Sequence, residues 1–315
     1  MARFIPYYRR TIQYLVEGKN QTHELYKEFI LEHIAKREIS LREKTEGDVD
    51  VCFKEAEVRH RSEGEERPHD AIDAYLIDAN RRDRKGDEPT NSRELASDTQ
   101  VHHVLADLFG AGLDTTMATL RWFLLMLAVN PRAQDLVQEE LDNLLGAPGH
   151  EKRLVTLEDA IHLPYTEAAI AEAQRIRPVV PLGIPHGALK DTSLGGYRIP
   201  KGTMLIALQW VLHNGEVPWG KDAEKIFDPT RFIDSDGNFS SRQKEHFMPF
   251  QTGRRVCVGE DLAHMFLFLF GVSIFHEFRL SLPPGADADD ILEGDSGITL
   301  TPKHHTLIFK RRFIH

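Results

Sequence analysis

The stretch Phe250-Gln-Thr-Gly-Arg-Arg-Val-Cys-Val-Gly259 stands directly ahead of an apolar segment that predicts a long helix over Glu260–Phe278. Cys257 therefore lies at a predicted helix N-terminus, where free N–H groups and partial positive charge stabilise a thiolate. The two glycines of the stretch permit a tight loop and close approach of backbone to a flat or bulky group. Its adjacent arginines add positive charge beside the thiolate or beside an anionic ligand.

Three interpretations of Cys257 compete. A lone cysteine is most often buried and inert, but glycines and arginines make a poor apolar packing site. A nucleophilic cysteine needs a base, and the 16 histidines supply candidates without a local signature of that chemistry. A metal-bound thiolate is the third interpretation. Zinc needs three or four protein ligands, whereas one thiolate suffices when a macrocycle supplies four donors, as in thiolate-ligated haem.

The stretch also fits the pattern Phe-x-x-Gly-x-Arg-x-Cys-x-Gly at every fixed position. This pattern resembles the haem-ligand signature of the cytochrome P450 haem-thiolate monooxygenases. The resemblance implies heme b (iron protoporphyrin IX) as cofactor, with Cys257 as the axial ligand of the iron and Arg255 as a partner of a propionate. The residues that the signature assigns to the haem site are Phe250, Gly253, Arg255, Cys257 and Gly259.

A second motif lies within Leu95–Val129, a mostly apolar segment predicted to be helical. Asp114 and Thr115 interrupt its apolar face, and each nearby glycine costs about 1 kcal/mol of helix stability. One interpretation is a threonine bonded to the preceding turn. The other is that Ala111-Gly-Leu-Asp-Thr-Thr116 resembles the oxygen-activation motif of the family. Thr115 then orders a proton relay to dioxygen and Asp114 links it to solvent, beside haem contacts Ala111 and Gly112 and substrate contacts Leu105, Leu108 and Phe109.

A third motif is Glu172-Ala-Gln-Arg175, which on an exposed helix would mean little. Its neighbours are apolar, so the pair is predicted to be buried and to need a further partner. The family pairs such a Glu-x-x-Arg with the arginine of Pro-x-Arg-Phe, and Arg231 occupies that place. The expected role of Glu172, Arg175 and Arg231 is structural support of the cysteine loop.

His186, in Ile-Pro-His-Gly, is either a turn histidine without a partner or a second propionate contact. The resemblance to the microsomal drug- and steroid-hydroxylating branch favours the contact. In that branch a short apolar segment after the Glu-x-x-Arg helix reaches over the haem. Val180 and Leu182 are the corresponding substrate-contact candidates, and the turn 296–298 is a weaker one.

The chain has 315 residues, 41% of them hydrophobic, and a net charge of −10, which disfavours nucleic-acid binding. Its two cysteines cannot form a disulfide framework. Helical patterns dominate, with short β segments after residue 178 and strands and loops predicted over Leu280–Arg312. The predicted class is mainly α with a minor β component, and the resemblance implies the C-terminal part of a cytochrome P450 fold.

We expect residues 1–315 to form a partial cytochrome P450 domain. A helix is predicted over 8–37, charged, flexible loops fall within 38–94, and 95–315 is the haem-binding core. The longest apolar runs, Trp122–Val129 and Met265–Phe275, are shorter than the about 20 residues of a membrane span. No anchor is therefore expected in this chain, and the N-terminal part of the family fold is expected to be missing.

The resemblance implies a monooxygenase that inserts one oxygen atom of O2 into an apolar substrate, such as a steroid, a fatty acid or a xenobiotic. Its electrons would come from NADPH through a diflavin reductase, with cytochrome b5 as a further candidate partner. The full-length protein would lie on the cytoplasmic face of the endoplasmic reticulum membrane. Two alternatives stay open: a truncated, inactive remnant with an interaction role, and an oxygen-independent haem-thiolate isomerase.

Overall fold

A computed structural model describes residues 98–146, 153–240 and 246–312. The helix predicted over 8–37 and the charged loops of 38–94 lie outside the described residues. The chain divides into two compact units, Met1–Ala111 and Gly112–His315. In the first unit the described residues are 98–111, which form the N-terminal part of helix α1.

Helices and strands alternate irregularly along the described chain. The helices are α1 (Asp98–Val129), α2 (Pro131–Leu145), α3 (Pro164–Ile176), α4 (Gln209–Asn214), α5 (Glu216–Trp219), α6 (Glu260–Glu277) and α7 (Ala288–Glu293). The strands are β1 (His186–Gly187), β2 (Thr192–Leu194), β3 (Tyr197–Ile199), β4 (Met204–Leu205), β5 (Phe278–Ser281), β6 (Asp295–Ser296), β7 (Leu300–Thr301) and β8 (Ile308–Arg311). Short 3₁₀ turns lie at Leu157–His162, Pro229–Phe232 and Gly253–Arg255.

Prolines set the starts of the central helices. Pro131 ends α1, because it cannot donate the next helical hydrogen bond, and it opens α2, where its fixed φ suits the first turn. Pro164 opens α3 in the same way. Helix α2 ends before Gly146, whose φ of 82° leaves the helical region.

The strands form four separate antiparallel pairs: β1 with β4, β2 with β3, β5 with β8, and β6 with β7. The longest register runs from Phe278 opposite Arg311 to Ser281 opposite Ile308. The predicted class, mainly α with a minor β component, is confirmed. The strands and loops predicted over Leu280–Arg312 are wrong at α7, because the Asp287 side chain accepts a hydrogen bond from Asp290 N and caps this short helix.

The core of the second unit is helical. The C-terminal part of α1 packs with α2, α3 and α6 in one buried apolar cluster. Phe123 of α1 meets Phe275 of α6 edge to face, with ring centroids 5.4 Å apart. At Gly271 a Cβ atom would come within 2.7 Å of the Phe123 ring, so the glycine permits the close approach of α6 to α1.

The segment Ala106–Val129 of α1 is long and apolar enough, by length and composition alone, to cross a membrane. The unbroken apolar runs in the sequence do not indicate this, since Asp114 and Arg121 interrupt the segment. Its C-terminal residues, Trp122 to Ala128, are buried in protein, as in the core helix of a globular domain.

Candidate active site

The loop that carries Cys257 is closed by its own backbone. Cys257 N donates to Phe250 O at 2.9 Å, and Val256 N donates to Gly253 O at 3.1 Å. The thiol is free and exposed, three residues before the start of the 18-residue helix α6. The thiolate is the form of a cysteine side chain that binds metal.

Two residues of this loop have left-handed backbone conformations. Gly253 has φ 78°, which a glycine adopts without strain. Gln251 has φ 65°, an uncommon conformation for a residue with a side chain, and such strain is found preferentially at functional sites. The Gln251 side-chain oxygen lies 3.3 Å from His186 Nε2. The structure therefore brings His186 to the cysteine loop, although their sequence positions are far apart.

Helix α4 holds the residue that leads into this loop. Met248 N donates to His213 Nε2 at 3.0 Å, and Gln209 Nε2 donates to Met248 O at 2.9 Å. Gln209 and His213 are one helical turn apart, so both side chains reach the same backbone unit. We call this arrangement the Met248 clamp. Burial and the charge of Arg175 lower the pKa of His213 to about 4, so its ring is neutral and accepts the Met248 hydrogen bond.

A buried ion pair contacts helix α4 and so supports the Met248 clamp. Arg175 donates to both carboxylate oxygens of Glu172, at 2.6 and 2.8 Å, and both side chains are completely buried. Arg175 also donates to His213 O at 2.7 Å, which connects the pair to α4. Burial raises the pKa of Glu172, and the bonds from Arg175 oppose that rise.

The predicted third partner, Arg231, is present. Its Nε lies 3.6 Å from Glu172 Oε1, too far for a hydrogen bond but within ion-pair range. The same guanidinium donates to Trp219 O. Glu172 further accepts a hydrogen bond from Asp228 N at 3.0 Å, so two protein segments converge on this carboxylate. Such convergence meets the requirement that a buried charge be satisfied from several directions.

The glycine-containing part of α1 leaves open space beside the helix. Among residues 98–146, 153–240 and 246–312, and apart from the helix's own nearby backbone, no atom lies within 4 Å of the position that a Cβ would take at Gly112, and Ala111 is exposed. Thr119 donates its hydroxyl to Thr115 O at 2.9 Å, the back-bond expected of a threonine within a helix. Asp114 accepts a hydrogen bond from Thr299 Oγ1 at 3.1 Å.

The predicted substrate-contact residues differ in exposure. Leu108, Phe109 and Leu182 are 45%, 46% and 57% exposed. Val180 is half-buried. The side chain of Leu105 lies outside the described part of the structure.

These residues fit a haem. Cys257 offers an exposed thiol at a helix N-terminus, and His186 and Arg255 are exposed donors for carboxylates. Gly112 leaves a space that a side chain would fill, and the exposed apolar side chain of Val258, next to Cys257, suits the face of a macrocycle.

Comparison with known proteins identifies the family of this chain. A profile of the family Cytochrome P450 matches residues 3–309. The chain belongs to the cytochrome P450 family. Cytochrome P450 2U1 of Homo sapiens is 40% identical over 247 residues, which cover 78% of this chain and 43% of the relative.

Two further relatives give the same result. Cytochrome P450 306a1 of Drosophila melanogaster is 44% identical over 218 residues, covering 69% of this chain and 36% of the relative. Cytochrome P450 2K6 of Danio rerio is 39% identical over 246 residues, covering 78% of this chain and 46% of the relative. The cytochrome P450 chain described here thus spans less than half the length of these three relatives.

Three contact residues are absent from the sequence-based site: Gln251, His213 and Thr299. Gln251 lies inside the cysteine motif, at a position that the motif leaves free. His213 and Gln209 have helical spacing, which is a weak signal in a segment of six residues. Nothing in the sequence around Thr299 indicates a contact with Asp114, 185 residues earlier.

Proposed function

We propose that this chain forms the thiolate-bearing part of a haem-thiolate monooxygenase of the cytochrome P450 family. The reaction is RH + O2 + 2 electrons + 2 protons → ROH + H2O, in which one oxygen atom enters the substrate and the other leaves as water. The observation that carries the proposal is the free, exposed Cys257 at the N-terminus of α6, in a loop fixed by the Met248 clamp. Heme b held by this thiolate would supply the redox chemistry of the reaction.

The remaining residues of the site have three roles: propionate binding, proton transfer and structural support. Arg255 and His186 would bind propionate oxygen atoms of the haem, and the His186 ring is held by its contact with Gln251. Asp114 accepts protons from solvent and passes them on, and the Thr115 hydroxyl orders their path. Proton transfer along such a path requires its groups to lie within hydrogen-bond reach of one another. Glu172, Arg175 and Arg231 support the loop and take no part in the chemistry.

The substrate is an apolar molecule, because Leu108, Phe109, Val180 and Leu182 offer it no polar partner. A steroid, a fatty acid or a xenobiotic has this character. The electrons come from NADPH through a diflavin reductase, with cytochrome b5 as a second donor. The protein works at the cytoplasmic face of the endoplasmic reticulum membrane.

The test is the spectrum of the reduced, carbon-monoxide-bound protein, recorded in a full-length cytochrome P450 that contains this chain. We expect Cys257→Ala to abolish the thiolate-type absorption band, because the variant has no sulfur donor at α6. Cys52→Ala is the matched control and keeps the band. The proposal is wrong if Cys257→Ala retains the thiolate-type band, or if Cys52→Ala loses it.

A further inference from the structure

The hairpin formed by β6 and β7 presents a residue to solvent. Gly297 N donates to Thr299 O at 2.9 Å and closes the turn between the two strands. Ile298, at the tip, is 85% exposed. An isoleucine this exposed is available to an apolar ligand, and the sequence already indicates 296–298 as a substrate-contact turn.

The strand after this turn is fixed to two other segments through backbone groups. Trp122 Nε1 donates to Leu300 O at 2.9 Å, and Arg121 donates to Pro302 O at 3.1 Å. On the other side Leu300 N donates to Val179 O at 2.7 Å. Each bond uses a main-chain atom of Leu300 or Pro302, so none of the three depends on the side chain of residue 299.

The bond from Thr299 to Asp114 is of a different kind, since it joins two side chains. The Thr299 hydroxyl donates to Asp114 Oδ2 at 3.1 Å. Asp114 is exposed, and an exposed carboxylate without such a donor turns freely among its rotamers. Proton transfer requires the carboxylate within hydrogen-bond reach of its partner. The hydroxyl of Thr299 selects one orientation of the Asp114 carboxylate from those that solvent would allow.

We propose that Thr299 is a positioning residue for Asp114 and ties the orientation of this carboxylate to the substrate-contact turn. The inference rests on the proposed function and deepens it. Ile298 directly precedes Thr299, the residue that donates the hydrogen bond to Asp114. A substrate that contacts Ile298 therefore contacts the same turn that orients the Asp114 carboxylate. Proton delivery is thereby matched to the presence of substrate, so that reducing equivalents end in product and not in hydrogen peroxide (O2 + 2 electrons + 2 protons → H2O2).

The first test measures peroxide formed per NADPH consumed, in a full-length cytochrome P450 that contains this chain. Thr299→Val keeps the shape of the side chain and removes the donor. We expect the peroxide-to-product ratio to rise by about two- to tenfold, which is the change in rate that corresponds to the net free energy of one hydrogen bond. Substrate affinity should stay the same. Thr299→Ser restores the donor and should restore the wild-type ratio. Thr301→Val removes a hydroxyl from the same hairpin and is the matched control.

The second test reads the bond itself, without turnover. Thr299→Val, which lacks the donor, and Asp114→Ala, which lacks the acceptor, should each lower the midpoint of thermal unfolding, and the double variant should lower it by less than the sum of the two. An additive double variant overturns the proposal. So does an unchanged peroxide ratio in Thr299→Val, or a Thr299→Ser variant as uncoupled as Thr299→Val. A wild-type protein with no thiolate-type band would instead contradict the proposed function, and the unfolding cycle would still decide whether Thr299 holds Asp114.

Discussion

The buried ring of His213 and the half-buried carboxyl group of Glu167 contribute to the free energy of unfolding with opposite dependence on pH between pH 4 and 7. Burial and Arg175 lower the pKa of His213 from 6.5 to about 4. Burial and the neighbouring Glu140 raise the pKa of Glu167 from 4.5 to about 7. Each change corresponds to about 3 kcal/mol, at 1.36 kcal/mol for each pH unit.

The two contributions run in opposite directions. Between pH 6.5 and 4 the unfolded chain protonates residue 213 and the folded chain does not, so His213 makes the free energy of unfolding fall as pH falls. Between pH 7 and 4.5 the folded chain protonates Glu167 and the unfolded chain does not, so Glu167 makes the free energy of unfolding rise as pH falls. In the wild-type protein the two slopes nearly cancel.

A variant that removes one of the two groups should show the pH dependence that the other group gives to the free energy of unfolding. His213→Gln has no titrating ring, and its amide oxygen can still accept the Met248 hydrogen bond. Its free energy of unfolding should rise by about 3 kcal/mol from pH 7 to pH 4.5, the Glu167 contribution. Glu167→Gln should lose about 3 kcal/mol from pH 7 to pH 4, the His213 contribution.

The assay is urea unfolding of the wild type, both single variants and the double variant at several pH values from 4 to 7. The wild type and the double variant should have similar profiles, since each holds both contributions or neither. Profiles of the single variants that run parallel to the wild type would refute the reasoning, because they would mean that neither group has the pKa derived from its burial.

The remaining predictions concern the core, the haem cradle, the buried ion pair and the oxygen-side helix. Gly271→Ala should lower the free energy of unfolding by about 1–3 kcal/mol in chemical denaturation, because its Cβ would press on the Phe123 ring. Gly112→Ala, with open space around its Cβ, should stabilise the apoprotein by about 1 kcal/mol yet weaken haem retention in a haem-transfer assay; equal retention would count against the cradle. Glu172→Gln should cost about 3 kcal/mol and lower haem content, because it leaves the Arg175 charge buried without its carboxylate. Thr115→Ala should keep haem and divert NADPH electrons into peroxide, and unchanged coupling would contradict its proton role.

Much of the fold follows from local signals in the sequence. Pro131 and Pro164 mark helix starts because their effect on the backbone is local. The apolar neighbours of Glu172 and Arg175 predict burial of the pair, and both side chains are completely buried. The cysteine motif predicts a loop before a helix, and Cys257 lies directly ahead of α6.

The contacts that complete the site have no local signal. Thr299 reaches Asp114 because β6 and β7 are placed against α1, and a placement of that kind depends on packing across the whole second unit. His213 reaches Met248 because α4 is oriented by Arg175, which donates to the His213 carbonyl group. The left-handed backbone conformation of Gln251 also could not be predicted from the sequence, because its φ follows from the closure of the loop and not from its side chain.

The Met248 clamp fixes where the chain may change in length. Gln209 and His213 hold both backbone groups of Met248, and α6 fixes the other end of the loop, so nine residue steps separate Met248 from Cys257. One inserted residue between them would add about 3.8 Å of chain to a loop with both ends held, and would displace the sulfur. An insertion before Met248 leaves that distance unchanged. Among descendants of this gene, length variation should therefore accumulate upstream of Met248 and be rare between Met248 and Cys257.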